Sequence, residues 1–290
     1  MLNEGDFIKL TIIGETQTPK GESVFIAKHN NRKFLLSKKL FTEKIPELNQ
    51  SIDCYVDKVN CSGKIFIEPI SERMLIGKTL LFKVMNRDNV YDSLGHMKSL
   101  FQLNQTDGYH ATYISYNTIS ADELSCRIIE IKKSKLIIEP TDFPTIYKYN
   151  QQIQVQIIGV KQIDALGKCY LVKDFENRIH PILVEKFAHY QLKLGNKIDC
   201  QILGFDKKHN LKLEPKNPVY EIGEEYKFKT LRVEDARDIA GNQFKILIVQ
   251  DRFSMEASIV QLPQSYTITP TVKARVYRIN NGRLYLNLIS

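Results

Sequence analysis

Lys64-Ile65-Phe66-Ile67-Glu68-Pro69 is the first of three closely similar phrases in this 290-residue chain. The second is Lys135-Leu136-Ile137-Ile138-Glu139-Pro140, the third is Asn210-Leu211-Lys212-Leu213-Glu214-Pro215, and a degenerate fourth is Arg283-Leu284-Tyr285-Leu286-Asn287-Leu288. A small residue stands thirteen or fourteen positions before the Glu or Asn of every phrase: Cys54, Cys126, Cys200 and Ala274. A register that holds across four copies indicates an internal repeat, which constrains the architecture before any single residue is interpreted.

The repeat is about 70 residues long, whereas the units of solenoid proteins run to about 20–50 residues and do not fold alone. We therefore predict four small domains, residues 1–71, 72–141, 142–216 and 217–290, although length alone would suggest about two. Each domain lies near the lower size limit for an independent core. We expect neighbouring domains to support one another, and the short linkers between them predict a semi-rigid string.

The first copy reads as a run of short strands. Alternating apolar residues begin at Phe7, resume at Val24 after a turn containing Gly21, and return at Phe34. A polar stretch then has room for only a short helix, and two more strands follow. Five strands with a helical connection between the third and the fourth is the order of the OB-fold, a small Greek-key barrel. The sequence therefore predicts a mainly β protein of four tandem OB-fold, five-stranded barrels with short helical connections.

The third copy carries the repeat motifs most clearly: Cys169-Tyr170-Leu171-Val172, Arg178-Ile179-His180-Pro181-Ile182, Leu194-Gly195-Asn196-Lys197-Ile198 and Leu211-Lys212-Leu213. On these residues the chain resembles the tandem RNA-binding OB repeats of the ribosomal S-one family. The resemblance spans the whole chain, although the second copy is irregular between Asp88 and Asp122 and the fourth lacks Glu-Pro. It implies an RNA ligand, an aromatic or His residue on the third strand that faces this RNA, and a basic residue at the start of the last strand that reaches its backbone.

The net charge of +8 and the isoelectric point near 9.0 favour a polyanionic partner. The formal charge is +1 for each of the first two segments, +4 for residues 142–216 and +2 for residues 217–290. The basic excess therefore lies in the second half of the chain. A mixed surface with a slight basic bias is the alternative interpretation.

An aromatic residue occupies the corresponding place on the second strand of every copy: Phe25, Phe101, Tyr170 and Phe244. Basic residues lie close by in sequence, such as Lys173 near Tyr170. OB-folds bind single strands by stacking bases on exposed aromatic rings, at about 1–3 kcal/mol per base, while cations follow the phosphates. We interpret this column as candidate stacking positions, and the alternative is that the same rings are barrel core.

A second column runs along the third strand, where Phe34, His180 and Phe253 precede the Cys or Ala by twenty or twenty-one residues. Each has a basic neighbour: Lys33, Arg178 and Arg252. Paired aromatic and basic side chains suit single-stranded RNA recognition. The resemblance adds the basic residues that open the last strand: Lys64, Lys135 and Arg283. The alternatives are a buried Phe34, a His180 that is simply a polar neighbour of Pro181, and lysines that are solvated turn residues.

The five cysteines predict core positions and a reducing compartment. Cys54, Cys126 and Cys200 recur where the fourth copy has Ala274, as expected of a small buried residue. The odd number argues against a disulfide framework, and no Cys/His cluster has the spacing of a zinc site. Met1 to Lys9 contain no apolar run of signal-peptide length, and no stretch of the chain approaches the length of a membrane span. We therefore predict a cytoplasmic protein with no cofactor, no metal and no membrane partner.

Catalysis finds little support in the sequence. Glu68, Glu139 and Glu214 supply one carboxylate per repeat instead of a pair, and no Gly-rich phosphate loop or nucleophile triad stands out. We predict a non-enzyme and keep two hypotheses. The first is binding of single-stranded nucleic acid, RNA before DNA, by weak sites in series. The second is a protein-interaction scaffold or accessory subunit. A mixed design places nucleic acid on residues 142–290 and a protein partner on residues 1–141.

Overall fold

The computed structural model describes residues 2, 4–18, 21–41, 45–59, 65–70, 75–105, 109–132, 135–164, 166–237, 241–260, 262 and 266–289. For residues 39, 132 and 135 it describes the backbone alone. Within these ranges twenty β-strands form four five-stranded sheets in succession. We call these sheets modules one to four, and each lies inside one of the four predicted segments.

The first half of the chain forms modules one and two. Module one consists of β1 (Phe7–Gln17), β2 (Ser23–His29), β3 (Arg32–Ser37), β4 (Ser51–Val59) and β5 (Ile65–Pro69). Module two consists of β6 (Thr79–Tyr91), β7 (Met97–Asn104), β8 (His110–Ser115), β9 (Glu123–Lys132) and β10 (Lys135–Pro140).

The second half forms modules three and four. Module three consists of β11 (Gln152–Ile163), β12 (Gly167–Lys173), β13 (Ile179–Leu183), β14 (Lys197–Phe205) and β15 (Leu211–Pro215). Module four consists of β16 (Glu225–Arg237), β17 (Gln243–Gln250), β18 (Glu256–Val260), β19 (Thr271–Asn280) and β20 (Arg283–Leu288). The connection between third and fourth strands holds a 3-10 turn in module one (Lys38–Leu40), and in module three a short helix, α1 (Val184–Phe187), followed by a 3-10 turn (Ala188–Tyr190).

The first strand is central in every module. Its N-terminal half pairs with the fourth strand and its C-terminal half with the second strand, both antiparallel. Modules two and four close into barrels because their third and fifth strands pair in parallel, Ala111 opposite Leu136 and Ser258 opposite Tyr285. The described strands of modules one and three form open sheets with the orders β3-β2-β1-β4-β5 and β13-β12-β11-β14-β15.

A β-bulge interrupts the first strand of every module near the start of the stretch that pairs with the second strand. A bulge bends the strand and increases its twist, so one strand can serve both sides of a strongly curved sheet. The extra residue is apolar and exposed in all four modules: Ile13, Met85, Ile158 and Leu231.

The fixed spacing seen in the sequence is the length of the hairpin between the fourth and fifth strands. The small residue pairs with a residue at the end of the repeated phrase: Cys54 with Pro69, Cys126 with Pro140, Cys200 with Pro215 and Ala274 with Leu288. Each small residue is 0% exposed, which confirms the predicted core position. Burial raises the pKa of Cys54 and of Cys126 to about 12, so these thiols stay protonated and unreactive at neutral pH.

Module one packs against module four, at the far end of the chain. Ile246, Ile248 and Val260 of module four belong to the apolar cluster of module one. Module four in turn contacts module three, and module three contacts module two. Modules one, four and three each make their contact, with modules four, three and two respectively, through the turn between their second and third strands or the residues beside it. The predicted string is therefore folded back on itself.

Candidate nucleic-acid interface

Three of the four predicted second-strand aromatics are core residues. Phe25 and Phe101 are 1% and 0% exposed, and Tyr170 is 9% exposed. Their strands direct these rings into the apolar clusters of modules one, two and three. A base stacks on a ring face that solvent can reach, and here other side chains cover those faces. The core interpretation therefore applies to these three positions, and the stacking interpretation does not.

The fourth aromatic, Phe244, lies on β17, whose residues 246–249 are buried on both faces. Alternate residues of this strand belong to different clusters, Leu247 and Val249 to module four, and Ile246 and Ile248 to module one. Phe244 packs against the module-one cluster. The guanidinium of Arg32, from module one, lies 5.8 Å from the centre of the Phe244 ring. Phe244 is thus half-buried at a contact between modules.

The predicted third-strand residues of module one lie at the same contact. Phe34 is 5% exposed in the module-one core. The Lys33 side chain is exposed, but its backbone N–H and C=O both bind the side chain of Asn242 of module four. The Asn242 amide donates to Lys33 O at 2.8 Å, and its Oδ1 accepts from Lys33 N at 3.1 Å. Because a carboxamide offers one acceptor oxygen and a donor nitrogen, Asn242 pairs with Lys33 as a neighbouring strand would.

Phe253 and Arg252 lie in the turn that module four presents to module three. The half-buried Phe253 ring has its centre 5.9 Å from that of Tyr190 and 6.2 Å from that of Tyr220. It therefore fills the contact between the modules instead of facing solvent. The Arg252 side chain is exposed, while its N–H donates to the Tyr220 hydroxyl at 2.7 Å.

Glu214, from the repeated Glu-Pro phrase, joins module three to module four. Its two carboxylate oxygens accept the N–H groups of Asn281 and Gly282 at 2.9 Å each. Burial raises the pKa of Glu214, and these two N–H groups oppose that rise. Gly282 has a φ of +72°, and a Cβ built there would lie 2.6 Å from Lys186 O. Glycine is therefore required where this turn meets module three.

Arg178 and His180 lie in a buried contact between modules three and two. His180 is 1% exposed, and its Nε2–H donates to Asp174 Oδ2 at 2.7 Å. The Tyr147 hydroxyl donates to the same carboxylate oxygen. The Arg178 guanidinium lies 4.5 Å from the centre of the Tyr116 ring of module two. Both residues therefore serve docking, and the RNA-facing position implied for His180 is not accessible to a ligand.

Lys98 adds a buried ion pair to this contact. Its Nζ donates to Asp92 Oδ2 at 2.6 Å and to His209 O of module three at 2.5 Å. Burial lowers the pKa of Lys98, which Asp92 opposes only in part. On Asp92 the effect of burial is outweighed by Lys98 and by N–H donors of the turn, so its pKa is lowered. Both pKa values are lowered. This agrees with a buried ion pair in which Lys98 loses more stabilisation by water than it gains from Asp92.

The remaining predicted cations are dispersed. Lys173 is half-buried on β12, and Arg283 is exposed at the start of β20. Lys64 lies outside the described residues, as does the side chain of Lys135. The predicted residues that the structure describes therefore divide among module cores, module contacts and separate exposed positions, and they do not form one surface.

A basic surface that the sequence interpretation missed lies on the outer face of module four. Lys227 on β16 stands directly opposite Lys273 on β19, with Lys229 and Arg275 on the same face. All four side chains are exposed, and we call them the basic ladder. Glu225 binds Lys273 at 2.6 Å and Arg275 at 2.8 Å. Hydrogen bonds from these two cations lower the pKa of Glu225.

The equivalent cross-strand positions of the other modules do not pair two like charges. Lys9 opposes Asp53 in module one, Leu81 opposes Ser125 in module two, and Gln154 opposes Asp199 in module three. Like charges directly opposite on an antiparallel pair destabilise a sheet. Glu225 offsets part of the repulsion between Lys227 and Lys273, and a bound anion would offset more of it.

The sequence does contain a signal for the basic ladder. Lys227-Phe228-Lys229 and Lys273-Ala274-Arg275 alternate cations with residues that are 1% and 0% exposed. Alternation of this kind places the cations on the outer face of a strand. The adjacency of the two segments, which are more than forty residues apart, becomes visible only with the pairing of β16 and β19.

Within the described ranges, no group of three or more His, Cys, Asp or Glu side chains is arranged to hold a metal ion. In the same part of the chain, none of the helices has the length and apolar character needed to cross a membrane. A scan against models of protein families finds no match, and a search among curated proteins finds no significant match either. Function is therefore inferred from the residues of this chain.

Proposed function

We propose that this protein is a non-catalytic, single-stranded nucleic-acid-binding protein, with RNA as the expected ligand. The basic ladder carries the proposal, because it presents four exposed cations and one carboxylate on two adjacent strands. Alternate residues on a strand recur about 6.6 Å apart, so the ladder offers a regular array of positive charge to a polyanion. Lys and Arg side chains that neutralise phosphates supply the sequence-independent part of nucleic-acid affinity.

Strand connectivity supports assignment of the modules to the OB class. The central first strand, its two antiparallel neighbours and the parallel pairing of third and fifth strands in modules two and four suit a five-stranded Greek-key barrel. This assignment agrees with the S-one resemblance of the sequence. OB barrels host several kinds of ligand, so the ladder and not the fold indicates the ligand. The described cysteines Cys54, Cys126, Cys169 and Cys200 are free and buried, which suits the proposed cytoplasmic setting.

Fluorescence anisotropy with labelled single strands of about 20 nucleotides, RNA and DNA, across a salt series tests the proposal. Wild-type affinity should fall steeply with salt, because bound phosphates release counterions. Lys227→Gln/Lys273→Gln should weaken binding and reduce the slope of log Kd against log salt by about 1.4, since each phosphate contact with a single strand contributes about 0.7.

The matched control is Lys9→Gln/Lys197→Gln, which removes the same charge from the equivalent outer faces of modules one and three. This variant should bind as the wild type does. Absence of binding at low salt, or an equal loss in the two double variants, would contradict a specific role for the ladder.

A second candidate function, a protein-binding scaffold, is favoured by apolar side chains on module two. Tyr91 and Met97 face each other across β6 and β7 and are 62% and 54% exposed. Leu81 and Met85, also on β6, are 55% and 56% exposed. Single exposed apolar residues are normal, but the directly opposed Tyr91 and Met97 form a contiguous apolar surface, as is typical of contact surfaces. This arrangement supports a protein partner on the half of the chain formed by residues 1–141.

In-cell cross-linking distinguishes the two functions. A protein partner that is lost with Tyr91→Ser/Met97→Ser and retained with Lys227→Gln/Lys273→Gln would support the scaffold. Cross-links to nucleic acid alone, unchanged by the module-two substitutions, would argue against it.

A further inference from the structure

A groove of about 1740 Å³ lies between modules one and four. The turn between β2 and β3 lines one side, and the hairpin of β16 and β17 lines the other. The lining includes Asn31, Arg32, Arg237, Gln243, Phe244 and Lys245. Sites for small molecules enclose about 300–1,000 Å³, so this groove has room for several units of a polymer.

The chemistry of the groove differs from that of the basic ladder. Asn31 and Gln243 are exposed amides that both donate and accept hydrogen bonds, and Asp235 adds a carboxylate to the lining. A phosphate offers only acceptor oxygens and is repelled by a carboxylate, whereas the edges of nucleobases offer donors as well as acceptors. The two amides and Asp235 therefore match the edges of bases, whereas the cations of the lining match phosphates.

An aromatic ring and a guanidinium also line the groove. Unstacked bases of single strands contact groups of these two kinds. Arg32 and Phe244 are both half-buried and lie against each other, with the guanidinium carbon 5.8 Å from the ring centre, so a base would contact the part of this pair that borders the groove. The exposed cations Arg237 and Lys245 stand on the same hairpin and can hold the backbone that enters the groove.

We propose that this groove binds unstacked bases of the same strand whose phosphates lie on the basic ladder. The inference rests on the proposed function. Both sites use β16, on which Lys229 and Arg237 are eight residues apart, a separation of about 26 Å at about 3.3 Å per residue. Even at the spacing of about 3.4 Å per nucleotide of a stacked strand, about eight nucleotides span that distance, so a strand of about 20 nucleotides reaches both sites.

Two labelled DNA strands of equal length, one oligothymidylate and one built of abasic sites, separate the bases from the backbone at constant charge. The wild type should bind the oligothymidylate at least about fivefold more tightly, the minimum expected from one stacked base. Asn31→Ala/Gln243→Ala changes no charge. It should bring the ratio of the two affinities down by about threefold or more and leave affinity for the abasic strand unchanged.

Gln152→Ala/Gln154→Ala is the matched control, since it removes two exposed amides from module three, and it should preserve the wild-type ratio. Far-ultraviolet circular dichroism confirms that the variants are folded. Equal wild-type affinity for the two strands, or a ratio unchanged by Asn31→Ala/Gln243→Ala, would overturn the proposal that the groove binds bases. The proposal that the basic ladder binds phosphates would stand. Failure of the wild type to bind either DNA strand would overturn the groove proposal, and failure to bind the RNA of the anisotropy series as well would overturn the proposed function.

Discussion

At the scale of single residues, three aspartates build the same turn and differ in their surroundings. Asp92, Asp174 and Asp251 each accept the N–H groups of the residues two and four positions later. Asp92 and Asp174 also bind a buried side chain six positions later, Lys98 and His180 respectively. Burial raises the pKa of all three carboxyls, but these extra partners outweigh burial for Asp92 and Asp174, whose pKa values are lowered. The pKa of Asp251 is raised.

We expect Asp92 and Asp174 to make the fold sensitive to acid. A folded pKa below the unfolded value, about 3.9 for Asp, contributes stability that is present above the unfolded pKa and lost as pH falls through the folded pKa. Asp92→Asn/Asp174→Asn should lower the free energy of unfolding at neutral pH by about 3–5 kcal/mol, because Lys98 is left buried without its partner. Its further loss of stability below about pH 4 should be shallower than that of the wild type. Urea unfolding across a pH series measures both effects.

The control for this prediction is Asp251→Asn, because the pKa of Asp251 is shifted in the opposite direction to those of Asp92 and Asp174. A raised folded pKa contributes stability that is present below the unfolded pKa and is lost as pH rises through the folded pKa. This variant should therefore lose stability in acid at least as steeply as the wild type. If Asp92→Asn/Asp174→Asn loses stability in acid as steeply as the wild type, other groups set the acid limit.

A second prediction at this scale concerns Gly282. Gly282→Ala places a methyl group 2.6 Å from Lys186 O in a backbone conformation with φ of +72°. Gly95→Ala is a matched control, since Gly95 has a φ of +83° and nothing within 4 Å of its Cβ position. Both variants carry the cost of a positive φ, but only Gly282→Ala adds a clash, worth about 1–3 kcal/mol. Denaturant midpoints measure the difference, and equal losses in the two variants would mean that modules three and four separate easily.

At the scale of strands, much of the fold is predictable because local pattern determines it. The spacing from Cys200 to Pro215 is the hairpin of β14 and β15, and the same pairing recurs in the other modules. The sequence of a strand does not show which other module, if any, covers its outer surface. The basic and aromatic pattern around His180 looks the same in sequence whether it faces RNA or another module. Ile246-Leu247-Ile248-Val249 indicates a strand buried on both faces, but the run does not identify module one as its cover.

The two buried faces of β17 lead to a prediction about Ile248. This side chain points away from the barrel of module four and is 7% exposed against module one. Ile248→Ala should therefore cost about 2–4 kcal/mol, as a core substitution does. Ile158→Ala is the comparison, because Ile158 is also apolar and outward-facing but 39% exposed, and its loss should stay below about 1 kcal/mol. Similar small losses in the two variants, measured by urea unfolding, would show that module one does not cover β17 in solution.

At the scale of the whole molecule, each of three modules uses the turn between its second and third strands to hold another module. The turn of module one, with the start of its third strand, contacts module four. The turn of module four contacts module three, and the turn of module three contacts module two. The third-strand residues predicted to face RNA lie in or beside these turns. Docking therefore occupies the predicted surface, and the exposed positive charge of module four lies instead on β16 and β19.

Asn242 should control the attachment of module one to the rest of the molecule. Asn242→Ala removes the two hydrogen bonds that join the Asn242 side chain to the backbone N–H and C=O of Lys33. Both are exposed to water, so each contributes about 0.5 kcal/mol, at the low end for a hydrogen bond in a protein. Module one should therefore open about 5-fold more often, because about 1.4 kcal/mol corresponds to a factor of ten in an equilibrium. Hydrogen exchange followed by mass spectrometry should show faster exchange in peptides from β2 and β3, with peptides from module two as the internal control. Asn86→Ala is the control, since the Asn86 side chain bonds to Asp88 within β6, and it should leave hydrogen exchange in module one unchanged.

Because the groove needs both modules, Asn242→Ala should also reduce the preference for oligothymidylate over the abasic strand while the basic ladder still binds both. Unchanged exchange in module one would mean that the apolar cluster shared with Ile246 and Ile248 holds the modules together without the hydrogen bonds of Asn242.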